Sequence, residues 1–221
     1  MHENNSKDIC TRGSKIDYAL LSLISDKIHI GVIGCGRAGI IKALHFLKEN
    51  CKVSVITRDN YKNNEDIKSL MEYGKFSISV EEYKRDFILD KHLIIIAVDN
   101  EETKLKIKDD CDAMYKIYID CMDFKEGMAV VPVQRNSKNL NLGINTTGGN
   151  PKASVFIAEK IKKEMCNYDE FIAYTTELRQ SFKKKTKLKD DAMKFLFTDD
   201  FYFFFEKGKA REVIRLFYNE V

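Results

Sequence analysis

The isoleucine-rich run His92–Val98 ends on a carboxylate, Asp99, with Asn100, Glu101 and Glu102 directly behind it. Two roles suit an acid placed there. With Glu102 three residues on, it reads as D-x-x-E, a capping box with Asp99 as N-cap of the following helix. At the mouth of an apolar strand it is also placed to take a proton from a substrate undergoing oxidation. The roles are compatible, since one oxygen can cap while the other accepts a proton, and the residues alone leave both open.

A second constellation precedes it. The apolar run Ile28–Ile33 leads straight into Gly34-Cys35-Gly36-Arg37-Ala38-Gly39, which satisfies G-x-G-x-x-G in the strand–turn–helix setting that gives the motif meaning. Gly34 suits the tight turn, Gly36 a close approach of backbone to pyrophosphate, and Gly39 close packing of helix on sheet, with the helix N-terminus facing the anion. A ribose-binding carboxylate is expected at the end of the second strand, where the sequence is Thr57-Arg58-Asp59. Arg58 suits the 2′-phosphate of NADP and Asp59 the ribose of NAD, so these residues do not choose between cofactors. Further on, Asn145–Pro151 reads NTTGGNP: a loop, an N-cap at Asn150 and a proline at the first helical position. It is either an ordinary loop into a capped helix or, through Thr147, Gly148, Gly149, Asn150 and Lys152, a seat for substrate carboxylates.

Neither cysteine nor histidine chemistry competes. The six cysteines contain no C-x-x-C pair and no histidine at ligand spacing, so no metal site is expected. The four histidines fall in a tail, a strand, a helix and a strand start, and form no readable dyad.

The elements that must position these groups alternate. Strands are expected over 28–33, 52–57, 76–80, 92–98 and 116–120, with helices over 37–49, 64–73 and 101–113. Right-handed crossovers assemble them into a doubly wound parallel α/β sheet, a Rossmann dinucleotide-binding domain ordered 3-2-1-4-5. In that order the first and fourth strands are neighbours, which brings Asp99 within about 5 Å of the glycine turn. After residue 124 the pattern becomes a hairpin around a polar turn at Arg135–Asn139, suited to a dimerisation ribbon. Helical periodicity then fills 151–165, 168–187, 190–198 and 200–218, with the aromatic run Phe201–Phe205 as a buried face. The expected organisation is a dinucleotide-binding domain over 14–124, a dimerisation hairpin over 125–150 and a small helical domain over 151–221.

Composition sets outer bounds. At 221 residues with 44% apolar and 32% charged residues, the chain reads as an ordinary globular protein with room for a large domain and an appendage. A net charge of +3 argues against a dedicated nucleic-acid partner. No apolar run reaches the roughly 18 residues of a membrane span, and the N-terminus lacks a signal-like apolar stretch, so a cytoplasmic protein without a membrane partner is expected.

Taken in order, these motifs resemble the precorrin-2 dehydrogenase family of siroheme biosynthesis, including the dehydrogenase–ferrochelatase module of siroheme synthase. The resemblance runs from about Tyr18 to Phe217. It takes in Tyr18–Leu23 ahead of the first strand, VIGCGRAG, IIIAVDN, DCMD at Asp120–Asp123, VVPV at Val130–Val133, TTGGNP, and YTTELRQSFKKK in the helical tail. Both prolines, Pro132 and Pro151, fall at the family's proline positions. The resemblance implies a homodimer that oxidises precorrin-2 to sirohydrochlorin with NAD, with ferrochelatase activity in some members. It implies Asp99 as the essential acid–base group, and Gly34, Gly36, Arg37, Ala38, Gly39, Arg58, Asp59 and Val98 as cofactor contacts. The sequence departs from the family where an asparagine is replaced by Asp120, a serine by Asn150, and helix arginines by Val155 and Ala158. Those arginines would suit a carboxylate-rich substrate; Lys152, Lys183, Lys184, Lys185 and Lys187 are candidate replacements. Two other readings remain from the residues: an NAD(H)-sensing regulatory domain of a transport system, similar in VIGCGRAG, and an NADP-linked reductase of another small acid. The first lacks its usual acidic residue at Thr57 and has no use for TTGGNP.

Overall fold

The computed structural model describes residues 16–61, 64–182 and 189–218. Lys183, Lys184, Lys185 and Lys187 lie outside them. The described residues divide into two compact units, one within 19–131 and a second formed by 16–18 with the described part of 132–218.

The first unit is a five-stranded parallel sheet. Its strands are β1 His29–Ile33, β2 Lys52–Thr57, β3 Phe76–Val80, β4 Leu93–Ile96 and β5 Ile117–Asp120, in the spatial order β3-β2-β1-β4-β5. β1 and β4 are buried at every position, as two-sided coverage of a parallel sheet requires. At the edge, β3 is only partly covered. One face packs under α1 (Arg37–Lys48) and α2 (Glu65–Met71), through Ala43, Phe46, Leu47 and Leu70. The other packs under α3 (Glu101–Ala113) and a short 3-10 turn at Arg85–Ile88, through Ile88, Ile107 and Cys111. Register aligns Ile56, Ile33, Ile96 and Asp120 in one row across β2, β1, β4 and β5. The residues that follow them, Thr57, Gly34, Ala97 and Cys121, therefore open on one carboxyl edge.

In the second unit, β6 (Val133–Asn136) and β7 (Asn141–Ile144) form an antiparallel hairpin. The turn expected at Arg135–Asn139 begins later: Arg135 and Asn136 are the last two residues of β6 and pair with Leu142 and Asn141. The Asp169 carboxylate closes the hairpin loop by accepting from Ser137 Oγ (2.7 Å), Asn139 N (2.8 Å) and Lys138 N (3.0 Å). Five helices follow among the described residues: α4 Pro151–Asn167, α5 Asp169–Phe182, α6 Lys189–Leu196, α7 Asp199–Glu206 and α8 Ala210–Phe217. The single helix expected over 200–218 is thus two. Gly208, at φ 69°, ends α7, and Gly208 N and Lys209 N bond back to Phe205 O (2.9 Å) and Phe204 O (2.8 Å) in a Schellman motif. Of the aromatic run, Phe201 is fully buried, while Phe203 and Phe204 are exposed. Helical geometry puts only one side of a five-residue stretch inward. Among the described residues no helix is long and apolar enough to cross a membrane.

Candidate active site

The three fingerprint glycines do different work. Gly34 has φ 100° and donates its N–H to Ile56 O at 2.8 Å, and a Cβ added there would sit 2.2 Å from Ala97 O. Gly39 is buried, and its added Cβ would sit 2.2 Å from Gly34 O and 3.3 Å from Ala97 Cβ. Both are therefore required by packing. Gly36 is not: it is exposed, and an added Cβ would meet nothing within 4 Å. Gly36 stands at the start of α1. Gly36 is the N-cap but brings no side-chain acceptor, and the first turn has no acid. The N–H groups of Arg37, Ala38 and Gly39 precede the first intrahelical bond, from Ile40 N to Gly36 O at 3.0 Å, so they remain available to an anion. Arg37 and Ala38 are exposed beside them.

At the end of β2, Thr57 is buried, and its Oγ1 accepts from Cys35 Sγ (3.0 Å) and Asp59 N (3.1 Å). Cys35 thus ties the glycine turn to the strand end, a role outside the metal chemistry for which the cysteines were considered. Its signal was available: residue 35 and residue 57 each sit at the carboxyl ends of adjacent parallel strands. Arg58 and Asp59 are exposed.

Asp99 lies three residues past Ile96, the partner of Ile33 in the β1–β4 register. Between them, a Cβ added at either packing glycine would meet Ala97, and Val98 Cγ1 would be 3.3 Å from a Cβ at Gly34. Asp99 is exposed and makes no hydrogen bond or ion pair among the described residues. The capping box is corrected here. Asn100 is the N-cap of α3, and its side-chain oxygen accepts from Thr103 N at 2.8 Å. Asn and Asp cap almost equally well, and adjacent candidates differ only by where the strand releases the chain.

β5 closes the edge with a buried ion pair. The Asp120 side chain is fully buried, with Oδ2 2.8 Å from Lys108 Nζ, while Oδ1 accepts from Met122 N (2.8 Å) and Asp123 N (3.0 Å). Lys108 also reaches Glu126 at 3.7 Å. Burial lifts the Asp120 carboxyl, but Lys108 and the two N–H groups outweigh it and leave it below its ordinary value. A folded-state pKa below the unfolded one adds stability above about pH 4, lost as pH falls through the folded value. Lys108→Met strands the buried carboxylate and is expected to cost about 3 kcal/mol in denaturant unfolding. Lys108→Met combined with Asp120→Asn, which keeps an Oδ1 acceptor for Met122 N and Asp123 N, should recover most of that and flatten the acid limb of the stability profile.

In the second unit, Thr147, Gly148, Gly149, Asn150 and Lys152 are exposed around the start of α4. Asn150 caps it, accepting from Ala153 N at 3.1 Å, and Asn150 N donates to Thr146 Oγ1 at 2.6 Å. Gly149 stands at φ 68°, and a Cβ at Gly148 would meet nothing within 4 Å. Val155 is exposed and Ala158 fully buried, so position 158 presents no side chain to a ligand.

The model of the family described as "Putative NAD(P)-binding" matches residues 21–133. Among solved structures the chain is similar to SirC, a precorrin-2 dehydrogenase, with a TM-score of 0.66 and 18% identity, over 91% of this chain and 98% of that one. It is also similar to the WlbA dehydrogenase from Chromobacterium violaceum, solved with NADH and UDP-GlcNAcA. There the TM-score is 0.30 and identity 14%, over 46% of this chain and 36% of that one, too slight a likeness to argue from. No curated protein matches the sequence.

Proposed function

The chain belongs to the NAD(P)-binding family whose model spans residues 21–133, and on that premise we propose that it oxidises precorrin-2 to sirohydrochlorin with a nicotinamide dinucleotide as acceptor. The observation that carries the reading is the open space beside Gly36, next to unbonded helix N–H groups and a strand end bearing Asp99. The ordered motifs of the sequence and the fold shared with SirC support precorrin-2 as the substrate.

The residues fit the cofactor. Gly36, Arg37, Ala38 and Gly39 would hold the pyrophosphate through backbone N–H groups, and Val98 would line the ring's side of the turn. When bound, the nicotinamide supplies the hydride-accepting carbon. Asp99 takes the proton that leaves the substrate carbon skeleton as its hydride departs, then passes that proton to water, so substrate loses two hydrogens in all. Having no bond to break first, the carboxylate is free to meet substrate. Thr147, Gly148, Gly149, Asn150 and Lys152 are the proposed holders of substrate carboxylates, by N–H groups at a helix start and a cation. A homodimer and insertion of ferrous iron into the product belong to the same reading.

Incubation of the purified protein with precorrin-2 and either NAD⁺ or NADP⁺ tests it. Reduced cofactor should appear at 340 nm in step with the visible spectrum of sirohydrochlorin. Dinucleotide binding with no tetrapyrrole oxidation by either cofactor would leave a binding domain in place of a dehydrogenase.

A further inference from the structure

Resting on that dinucleotide reading, we infer that Cys35 and Thr57 are positioning residues for the cofactor: the bond from Cys35 Sγ to Thr57 Oγ1 holds the glycine turn in the form that admits a pyrophosphate. Thr57 is a fixed post. It pairs with Val80 in the β2–β3 register, its carbonyl accepts from Glu81 N at 2.9 Å, and its side chain is buried. One hydroxyl oxygen there accepts twice, from Cys35 Sγ at 3.0 Å and from Asp59 N at 3.1 Å, so the exits of β1 and β2 meet on one atom.

The glycine turn is held at both ends by its backbone, but not in the middle. Gly34 N donates to Ile56 O at 2.8 Å, which ties the first residue to β2, and Gly36 O accepts from Ile40 N at 3.0 Å, which ties the third to α1. Between these anchors neither the N–H nor the C=O of Cys35, nor the N–H of Gly36, makes a hydrogen bond among the described residues. The remaining tether is the Cys35 side chain. Half-buried, it packs against the apolar layer beneath α1 and α2 and ends on the Thr57 oxygen. A thiol suits the place, since it packs as a small hydrophobe and still donates one weak hydrogen bond. Without that bond the peptide joining Cys35 to Gly36 gains freedom beside the N–H groups of Arg37, Ala38 and Gly39. Held in advance, the turn has less freedom to lose when an anion docks there, and the difference appears as affinity.

Fluorescence titration of the full chain with NADH and with NADPH tests the inference without substrate, read on whichever nucleotide the parent binds more tightly. Thr57→Val keeps the shape and removes the acceptor, and Cys35→Ala removes the donor; each should raise Kd about 3- to 10-fold. Thr57→Ser and Cys35→Ser keep an acceptor and a donor at the two positions and should bind within about twofold of the parent, a rescue that loss of packing alone would not give. Cys35→Ala combined with Thr57→Val should bind no more weakly than Thr57→Val alone, since one bond is lost only once. Parent affinity in Cys35→Ala overturns the inference, as does a double variant in which the two losses multiply, while the dinucleotide site stands. Should Thr57→Val fail to fold, Cys35→Ala against Cys35→Ser decides by itself. Failure of the parent to bind either nucleotide overturns the dinucleotide reading, and the inference with it.

Discussion

Asp99→Asn is expected to lower kcat for precorrin-2 oxidation by about 10²- to 10⁴-fold, the range supplied by a positioned acid–base group. Dinucleotide affinity should not change, because the proposed pyrophosphate seat uses backbone N–H groups of α1 and Gly36 rather than Asp99. The substitution keeps size and polarity and removes only the ability to hold a proton. Had Asp99 been only the cap of α3, the same variant would leave both stability and turnover unchanged, since Asn caps as well as Asp. That ambiguity is removed by the bond from Thr103 N to Asn100 Oδ1. Asp99→Asn should therefore unfold within about 0.5 kcal/mol of the parent, as surface changes away from special features do. Asn100→Ala should lose about 1 kcal/mol of stability while retaining turnover. Full activity in Asp99→Asn would reduce the residue to a bystander at the strand end.

The sheet order was legible because burial on both faces writes continuous apolar runs for β1 and β4, and chirality of crossover leaves few ways to place them. The glycine turn was legible for a similar reason: Gly34 and Gly39 answer contacts of 2.2 Å that no other residue meets. What the sequence left hidden depends on single residues deciding between near-equal options. Asp99 and Asn100 are both good caps, and only the path of the chain out of β4 selects one. Gly208 lies within an otherwise helical, aromatic-rich stretch, and its role as a stop appears once φ reaches 69°. The buried pair of Lys108 and Asp120 joins a helix to a strand end twelve residues later. Each partner alone reads as a surface charge. Asp120 stands where the family that the sequence resembles has an asparagine, and Lys108 neutralises it in place, so the β5 turn has its two side-chain-to-backbone bonds.

The fingerprint should come apart under substitution in a way that tells structure from binding. Gly34→Ala places a methyl 2.2 Å from Ala97 O at a φ of 100°, where L residues are strained, and both faults lie in rigid backbone. The expected loss is about 3 kcal/mol or more, enough to lower the melting temperature by several degrees whether or not cofactor is present. Gly36→Val meets no protein atom within 4 Å at its Cβ, and the residue's φ of −64° and ψ of 176° are open to any side chain. That variant should keep the parent's melting temperature within a few degrees, since its cost is confined to an exposed cap position. Its Kd for the preferred dinucleotide should nevertheless rise at least about 100-fold, because the branched side chain takes the volume through which the pyrophosphate approaches the N–H groups of α1. A stable fold that no longer binds requires that the space at Gly36 be kept for a ligand. Normal binding by Gly36→Val would place the pyrophosphate elsewhere, and Asp99 would lose the neighbour that makes it an acid–base group.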